Sequence, residues 1–219
     1  MAVSIKVSNG LDAYLTRTAA ELGIEISAES VAAPTSNEEH LTIVAVSSAQ
    51  IQLATYPAVH IQPYRNRISV KPAKLNESLL KELQISVNEM AKAQGLKGVA
   101  TYRFSLTGGY LGVAELIALD SIWSLEYSLT SVFENAVRAA SGLPLGKTEL
   151  LSDEWLIMNF DAPLRLDMNQ PLLHLYAHDS GYRIIKATSH TGYVSLQGAQ
   201  NLLEKVSHAI DYLEGEISE

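Results

Sequence analysis

The sequence predicts an α/β fold of the α+β kind: a mixed, largely antiparallel sheet backed by helices, followed by a small C-terminal β-rich unit. Three observations predict it. Val99–Leu106 and Tyr110–Leu119 alternate like paired strands around Gly108-Gly109. Leu79, Leu80, Leu83, Val87, Met90 and Ala91 recur at helical spacing behind Asn76, a residue type suited to cap them. From Trp155 onward the texture changes to short apolar runs separated by turn residues. Two domains are therefore expected, residues 1–146 and 147–219.

The elements follow in order. Ala2–Val7 alternates like a strand, and Asn9 offers a side-chain cap for a helix whose Leu11, Tyr14, Leu15, Thr18, Ala19 and Leu22 share one face before Gly23 ends it. Ile24–Val31 reads as a strand and Pro34–Glu39 as a polar loop. Leu41–Val46 reads as a strand that turns near Ser47–Gln50 and continues through Ile51–Ile61. Arg67–Val70 is a short strand closed by Pro72, and the helix over 76–95 ends on Gly95. A second helix is expected over 125–141, with Leu125, Leu129, Val132, Phe133, Val137 and Ala140 on one face, stopped by Gly142 and Pro144. Beyond it come strands at Trp155–Asn159, Leu172–Tyr176, Tyr182–Lys186 and Gly192–Leu196. A last helix spans Gly198–Leu213, before the acidic ending Glu214, Glu216 and Glu219.

Composition narrows the function classes. The chain has 219 residues, 47% hydrophobic and 18% charged, which suits a soluble globular protein rather than a disordered one. A net charge of −8 argues against nucleic acid as a partner, because that affinity comes from clustered Lys and Arg neutralising phosphates. The absence of cysteine removes disulfides, thiolate metal sites and cysteine nucleophiles. No signal-like start and no apolar run near the ~20 residues of a membrane span are present, so a cytoplasmic protein without membrane attachment is expected.

The region from Gly98 to Gly146 also resembles a known family. The hairpin looks like the late hairpin of an ATP-grasp ligase. Thr130-Ser131-Val132-Phe133-Glu134, Arg138-Ala139 and Gly142-Leu143-Pro144-Leu145-Gly146 resemble the 5-(carboxyamino)imidazole ribonucleotide synthases, the ATPase subunits of phosphoribosylaminoimidazole carboxylase in purine biosynthesis. Tyr56-Pro57-Ala58-Val59, Ile68–Ala73, Leu173-His174-Leu175-Tyr176 and Gly192–Leu196 extend the resemblance over roughly residues 24–200. It implies an ATP-grasp-like sheet, the family cofactors ATP and magnesium, and a homodimer.

The resemblance also implies losses. The family's N-terminal Rossmann-like domain and glycine-rich phosphate loop have no counterpart, since the only early glycines are Gly10 and Gly23. The family places a glutamate on the first hairpin strand and an Asn-Glu pair on the second to hold magnesium; here those positions are Arg103, Ala114 and Glu115. Mg²⁺ needs oxygen ligands at about 2.0–2.1 Å, and a guanidinium, protonated at any usable pH, supplies none. A three-residue turn at Thr107–Gly109 would set Arg103 opposite Val113 and diagonal to Glu115, where the two neutralise each other. The family's Pro-Arg-Pro-His-Asn-Ser-Gly-His segment is replaced by the shorter Ala118–Trp123, and its later Arg-Lys pair by Ser189-His190-Thr191.

Other candidates are weaker. His174 and His178 stand four apart, but four residues make a chelate on a helix and not on the strand expected at Leu172–Tyr176, so no metal is expected there. Ser207, His208 and Asp211 read as a solvated helix face rather than a hydrolytic triad. Glu29, just before Ser30-Val31, matches an acidic position that contacts adenosine in ATP-grasp enzymes, whereas alternation alone puts Glu25 and Glu29 on a wet face. Arg103 could instead hold a carboxylate or phosphate bidentately.

The expectation is thus a truncated, degenerate ATP-grasp relative with Arg103, Glu115 and Glu29 as ligand-binding candidates, no catalytic residue, no metal and no bound cofactor. It would be a pseudoenzyme acting as a binding or scaffold protein, a cytoplasmic homodimer. Two alternatives keep more function. One is a split carboxylase whose partner chain supplies the nucleotide-binding domain; the other is a small-anion sensor built on the old substrate cleft.

Overall fold

The computed structural model describes residues 3–32, 38–49, 52–164, 167–188, 190–198 and 200–215. Of the expectations above, parts of the Pro34–Glu39 loop and the Ser47–Gln50 turn lie outside these residues, as do Ala2, Ile51, Ser189, Glu216 and Glu219. The chain divides into two compact units, one of Met1–Ile61 with Ala73–Leu151 and one of Gln62–Pro72 with Ser152–Glu219. Against the expected boundary at 146/147 the first unit runs to Leu151, and residues 62–72, expected in the first domain, fall in the second unit. The structure moves that segment, because Ser69 and Val70 pair with Met158 and Ile157 of the second unit.

The first unit opens with β1 (Val3–Ser8), α1 (Asp12–Glu21) and β2 (Ile26–Val31), as the spacing predicts. β1 and β2 are parallel, from Val3 opposite Ile26 to Ser8 opposite Val31. Asn9 is not the helix cap: Leu11 holds that position without a side-chain bond, and the Asn9 N–H donates to the Val31 carbonyl at 3.1 Å. α1 buries Tyr14, Leu15, Thr18 and Ala19.

The larger sheet of this unit is built around β3 (His40–Ser47). It pairs antiparallel with β4 (Leu53–Thr55), with the first half of β5 (Val59–Tyr64) and with β7 (Gly98–Phe104). β7 in turn pairs with β8 (Tyr110–Ala114). The single strand expected over 51–61 is broken at Tyr56-Pro57-Ala58, where the Tyr56 N–H reaches the Val44 carbonyl at 2.8 Å before the chain turns on. One face of the sheet, Leu41, Ile43, Ala45, Ala100, Tyr102 and Phe104, packs on Leu83, Val87 and Ala91 of α2 (Glu77–Ala93). Asn76 caps α2 as expected, its Oδ1 accepting from the Leu79 N–H at 2.8 Å.

The expected helix over 125–141 is two helices, α3 (Ser124–Tyr127) and α4 (Val132–Ala140). Ser131 breaks them apart: its backbone is extended and its Oγ accepts from the Glu134 N–H at 3.0 Å, a Ser-x-x-Glu start that outweighs continuing the apolar face. Leu129, expected on that face, is 54% exposed.

The second unit is an antiparallel sheet in the order β6 (Arg67–Pro72), β9 (Trp155–Asp161), β11 (Thr191–Gln197), β10 (Arg183–Lys186). Its core joins Leu156, Met158, Phe160, Val194 and Leu196 to Val206, Ala209, Ile210 and Leu213 of α6 (Leu202–Leu213). The strand expected at Leu172–Tyr176 is instead α5 (Asn169–His178). Pro171 falls in its first turn, where a missing N–H costs nothing, and Met168, Leu172 and Leu175 reach the core at spacings of four and three. Leu173 and Tyr176, on the other side, are 64% and 47% exposed.

Candidate functional site

Arg103 sits in the middle strand of a polar row. Thr42 of β3 is its partner on one side and Gly112 of β8 on the other. The expected partner was Val113. The hairpin loop closes one residue earlier than predicted, with the Ser105 N–H on the Gly109 carbonyl at 2.7 Å. A bulge between Arg103 and Phe104 then inserts Leu111, with Gly112 at φ 150°, a region that favours glycine.

Glu115 consequently lies three residues beyond Arg103's partner, about 10 Å along a strand. It has also left the ladder. The Leu116 N–H donates to the Ala114 carbonyl at 2.9 Å, which makes Glu115 the middle of a three-residue turn. The expected ion pair between Arg103 and Glu115 does not form.

The carboxylate beside Arg103 is Asp120, carried on a single 3-10 turn (Leu119–Ser121) that no sequence pattern singled out. Burial pushes the Asp120 carboxyl above its usual range, opposed by the Arg103 and His40 charges and by a hydrogen bond from Thr42. Its Oδ1 is sealed from solvent with no hydrogen-bond donor among the described residues. His40 and Thr42, 4% and 1% exposed, belong to this cluster through their alternate positions on β3, and the His40 Nδ1 lies 2.7 Å from the Glu38 carbonyl. Alternation along Leu41–Val46 contained that signal, but the strand pairing that brings Thr42 to Arg103 did not show in the sequence.

Glu115 faces a different place. It lines a cavity of about 370 Å³ with Lys6, Lys97, Ser4 and Ser47, closed by alanines 136, 139 and 140 of α4. β1 reaches this point by pairing Val7 with Ile117, the Ile117 N–H donating to the Lys6 carbonyl at 3.0 Å. On its other side Lys6 stands opposite Glu29, and both are exposed. The three candidates therefore split: Arg103 joins Asp120, whereas Glu29 and Glu115 flank Lys6. As the side chains stand, no three described His, Asp or Glu are gathered as metal ligands, and no described helix is long and apolar enough to cross a membrane.

The identifying Gly142…Gly146 segment has a local physical basis. Gly142 takes φ 71° just past α4. A Cβ on Gly146 would come 2.2 Å from the Thr130 Oγ1. Asn135 secures the loop, its Oδ1 accepting from the Gly146 N–H at 2.7 Å while its Nδ2 donates to the Tyr56 hydroxyl at 2.7 Å.

No family model matches the chain. It is 31% identical over 150 residues to the N5-carboxyaminoimidazole ribonucleotide synthase of Synechococcus elongatus, covering 66% of this chain and 35% of that protein. The enzyme of the same name from Bacillus subtilis is 27% identical over 139 residues, covering 61% and 37%. The chain thus spans little more than a third of the curated relatives it matches. Among solved structures, N5-carboxyaminoimidazole ribonucleotide synthetase from Thermotoga maritima aligns with a TM-score of 0.64 at 20% identity, over 80% of this chain and 52% of that one. Glycinamide-RNase-transformylase T from Mycobacterium tuberculosis aligns with a TM-score of 0.65 at 15% identity, over 86% and 58%. The sequence matches and the structural alignments agree: the chain is a relative of the N5-carboxyaminoimidazole ribonucleotide synthases, with their ATP-grasp-like fold.

Proposed function

We propose that this chain is a degenerate ATP-grasp relative that does not carry out Mg-ATP chemistry and serves as a binding or scaffold protein. The supporting observation is the β7–β8 hairpin. Where the family resemblance implies three oxygen ligands, the hairpin offers Arg103 opposite Gly112, an alanine at 114, and Glu115 turned out of the ladder toward Lys6 and Lys97. A magnesium ion needs its oxygens on one small sphere. Here the one carboxylate retained and the substituted position stand about three residues apart along the hairpin.

A small-anion sensor at Arg103 is less favoured, because the guanidinium already shares its surroundings with Asp120. The rest of the proposal is a cytoplasmic homodimer without nucleic acid, membrane or bound cofactor. The test is turnover: the purified chain, given Mg-ATP, bicarbonate and aminoimidazole ribonucleotide, is expected to release no phosphate above a protein-free control. Phosphate release that depends on the chain, and that Glu115→Gln reduces, would show that the site is catalytic after all.

A further inference from the structure

The strongest unassigned cluster lies in the second unit. His174 and His178 are four residues apart on α5, one helical turn, so their side chains share a face. Their imidazole centroids are 4.3 Å apart. On the strand expected at Leu172–Tyr176 a spacing of four makes no chelate; on the helix it does. Tyr212 of α6 stacks on His174, centroids 4.0 Å apart and planes at 12°, which fixes the orientation of the first imidazole.

On α6, Glu204 and His208 are likewise four apart. Both are exposed, and both line the same cavity of about 360 Å³ as the α5 pair. Asp179, at the end of α5, is engaged elsewhere: its Oδ1 accepts from the Gly181 N–H at 2.9 Å and its Oδ2 lies 3.8 Å from the Lys205 Nζ. As the side chains stand, no three described His, Asp or Glu converge on one point. The histidine pair is therefore the nucleus, and a third ligand would arrive by rotation of an exposed side chain from α6.

We infer that α5 and α6 form a binding site for a divalent transition metal of the imidazole-preferring class, zinc, nickel or copper, held by His174 and His178 and completed from α6 by His208 or Glu204. Imidazole is the ligand these ions share, whereas Mg²⁺ and Ca²⁺ prefer oxygen.

The test is calorimetric titration of the full chain with ZnCl₂, NiCl₂ and CuCl₂ at pH 7.5, with the copper complex examined by electron paramagnetic resonance. One ion per chain is expected, with splitting from at least two nitrogens. His178→Ala, an exposed position where folding is not at stake, should weaken binding by at least about tenfold, the lower end of what even outer-sphere changes cost. His190→Ala, outside the cavity, should bind as the parent does. Absence of saturable binding below about 1 mM would overturn the proposal. So would a His178→Ala chain that binds as tightly as the parent. A His208→Ala/Glu204→Gln double variant with full affinity would overturn the part assigned to α6.

Discussion

Arg103 stands directly across the hairpin from Gly112, with Thr42 on its other side. That register separates position 103 from Glu115, and it sets what reverting the substituted ligands can achieve. The Arg103→Glu/Ala114→Asn double variant restores the residue types that the family resemblance implies. It is nevertheless expected to gain no magnesium-dependent ATP binding by calorimetry, because residue 103 still faces Gly112 and Glu115 still occupies its turn.

Asp120 makes a prediction about pH. Its carboxyl is raised by burial, more than Arg103, His40 and Thr42 lower it. The folded state therefore holds this proton at a pH where the unfolded chain has released it, so this group's contribution to stability falls as pH rises from the unfolded pKa, about 3.9, through the higher folded one. Asp120→Asn keeps the shape and removes the buried charge. Its unfolding midpoint should exceed the parent's at pH 7.5 by on the order of a few degrees, about 2–4 °C per kcal/mol in a chain this size, and match it near pH 3. A variant less stable than the parent at pH 7.5 would mean that Arg103 needs the Asp120 charge.

In the second unit, Arg67 and Arg65 should behave differently although both meet Asp211. Arg67 is 8% exposed and spans Asp211, at 2.9 Å, and Glu214, whose other oxygen accepts from the Asp161 N–H at 2.9 Å. Arg65 reaches Asp211 at 3.0 Å from a side chain 56% exposed. Arg67→Ala leaves two carboxylates facing each other and should cost about 3–5 kcal/mol in urea unfolding, whereas Arg65→Ala should cost less than about 1 kcal/mol.

Gly146 tests the loop that helped to identify the family. An added Cβ would overlap the Thr130 side chain, at 2.2 to 2.8 Å from three of its atoms, in a segment held by Asn135. Gly146→Ala should destabilise the first unit by about 1–3 kcal/mol, the usual cost of overpacking. Thr130→Ala in the same chain should recover part of that loss.

Local chemistry explains which parts of this molecule could be read in the sequence. α1 and α2 follow their periodicity, each burying one apolar stripe, Tyr14, Leu15, Thr18 and Ala19 in the first and Leu83, Val87 and Ala91 in the second. α5 did not: Leu172, His174 and Tyr176 alternate as a strand would, while Met168, Leu172 and Leu175 decide the matter by reaching a core that only the folded unit defines. The split between α3 and α4 was present in Ser131 and Glu134, a start signal masked by a continuous apolar face. Ser207 and Asp211, read as a solvated face, are 4% and 8% exposed, because Arg67, distant in sequence, gives Asp211 a charge to pair with. At the candidate site, Arg103, Glu115 and Glu29 were found by residue type. Their grouping depended on a one-residue bulge and on β1 lying against Ile117, neither of which leaves a local pattern.

The central claim is that the hairpin no longer builds a magnesium-nucleotide site, and ATP binding with and without magnesium addresses it most directly. Unfolding midpoints of the full chain should be the same in buffer, in millimolar ATP and in millimolar ATP with Mg²⁺, since a ligand raises the midpoint only by binding the native state. A saturable rise with ATP that requires Mg²⁺ and disappears in Glu115→Gln would contradict the account.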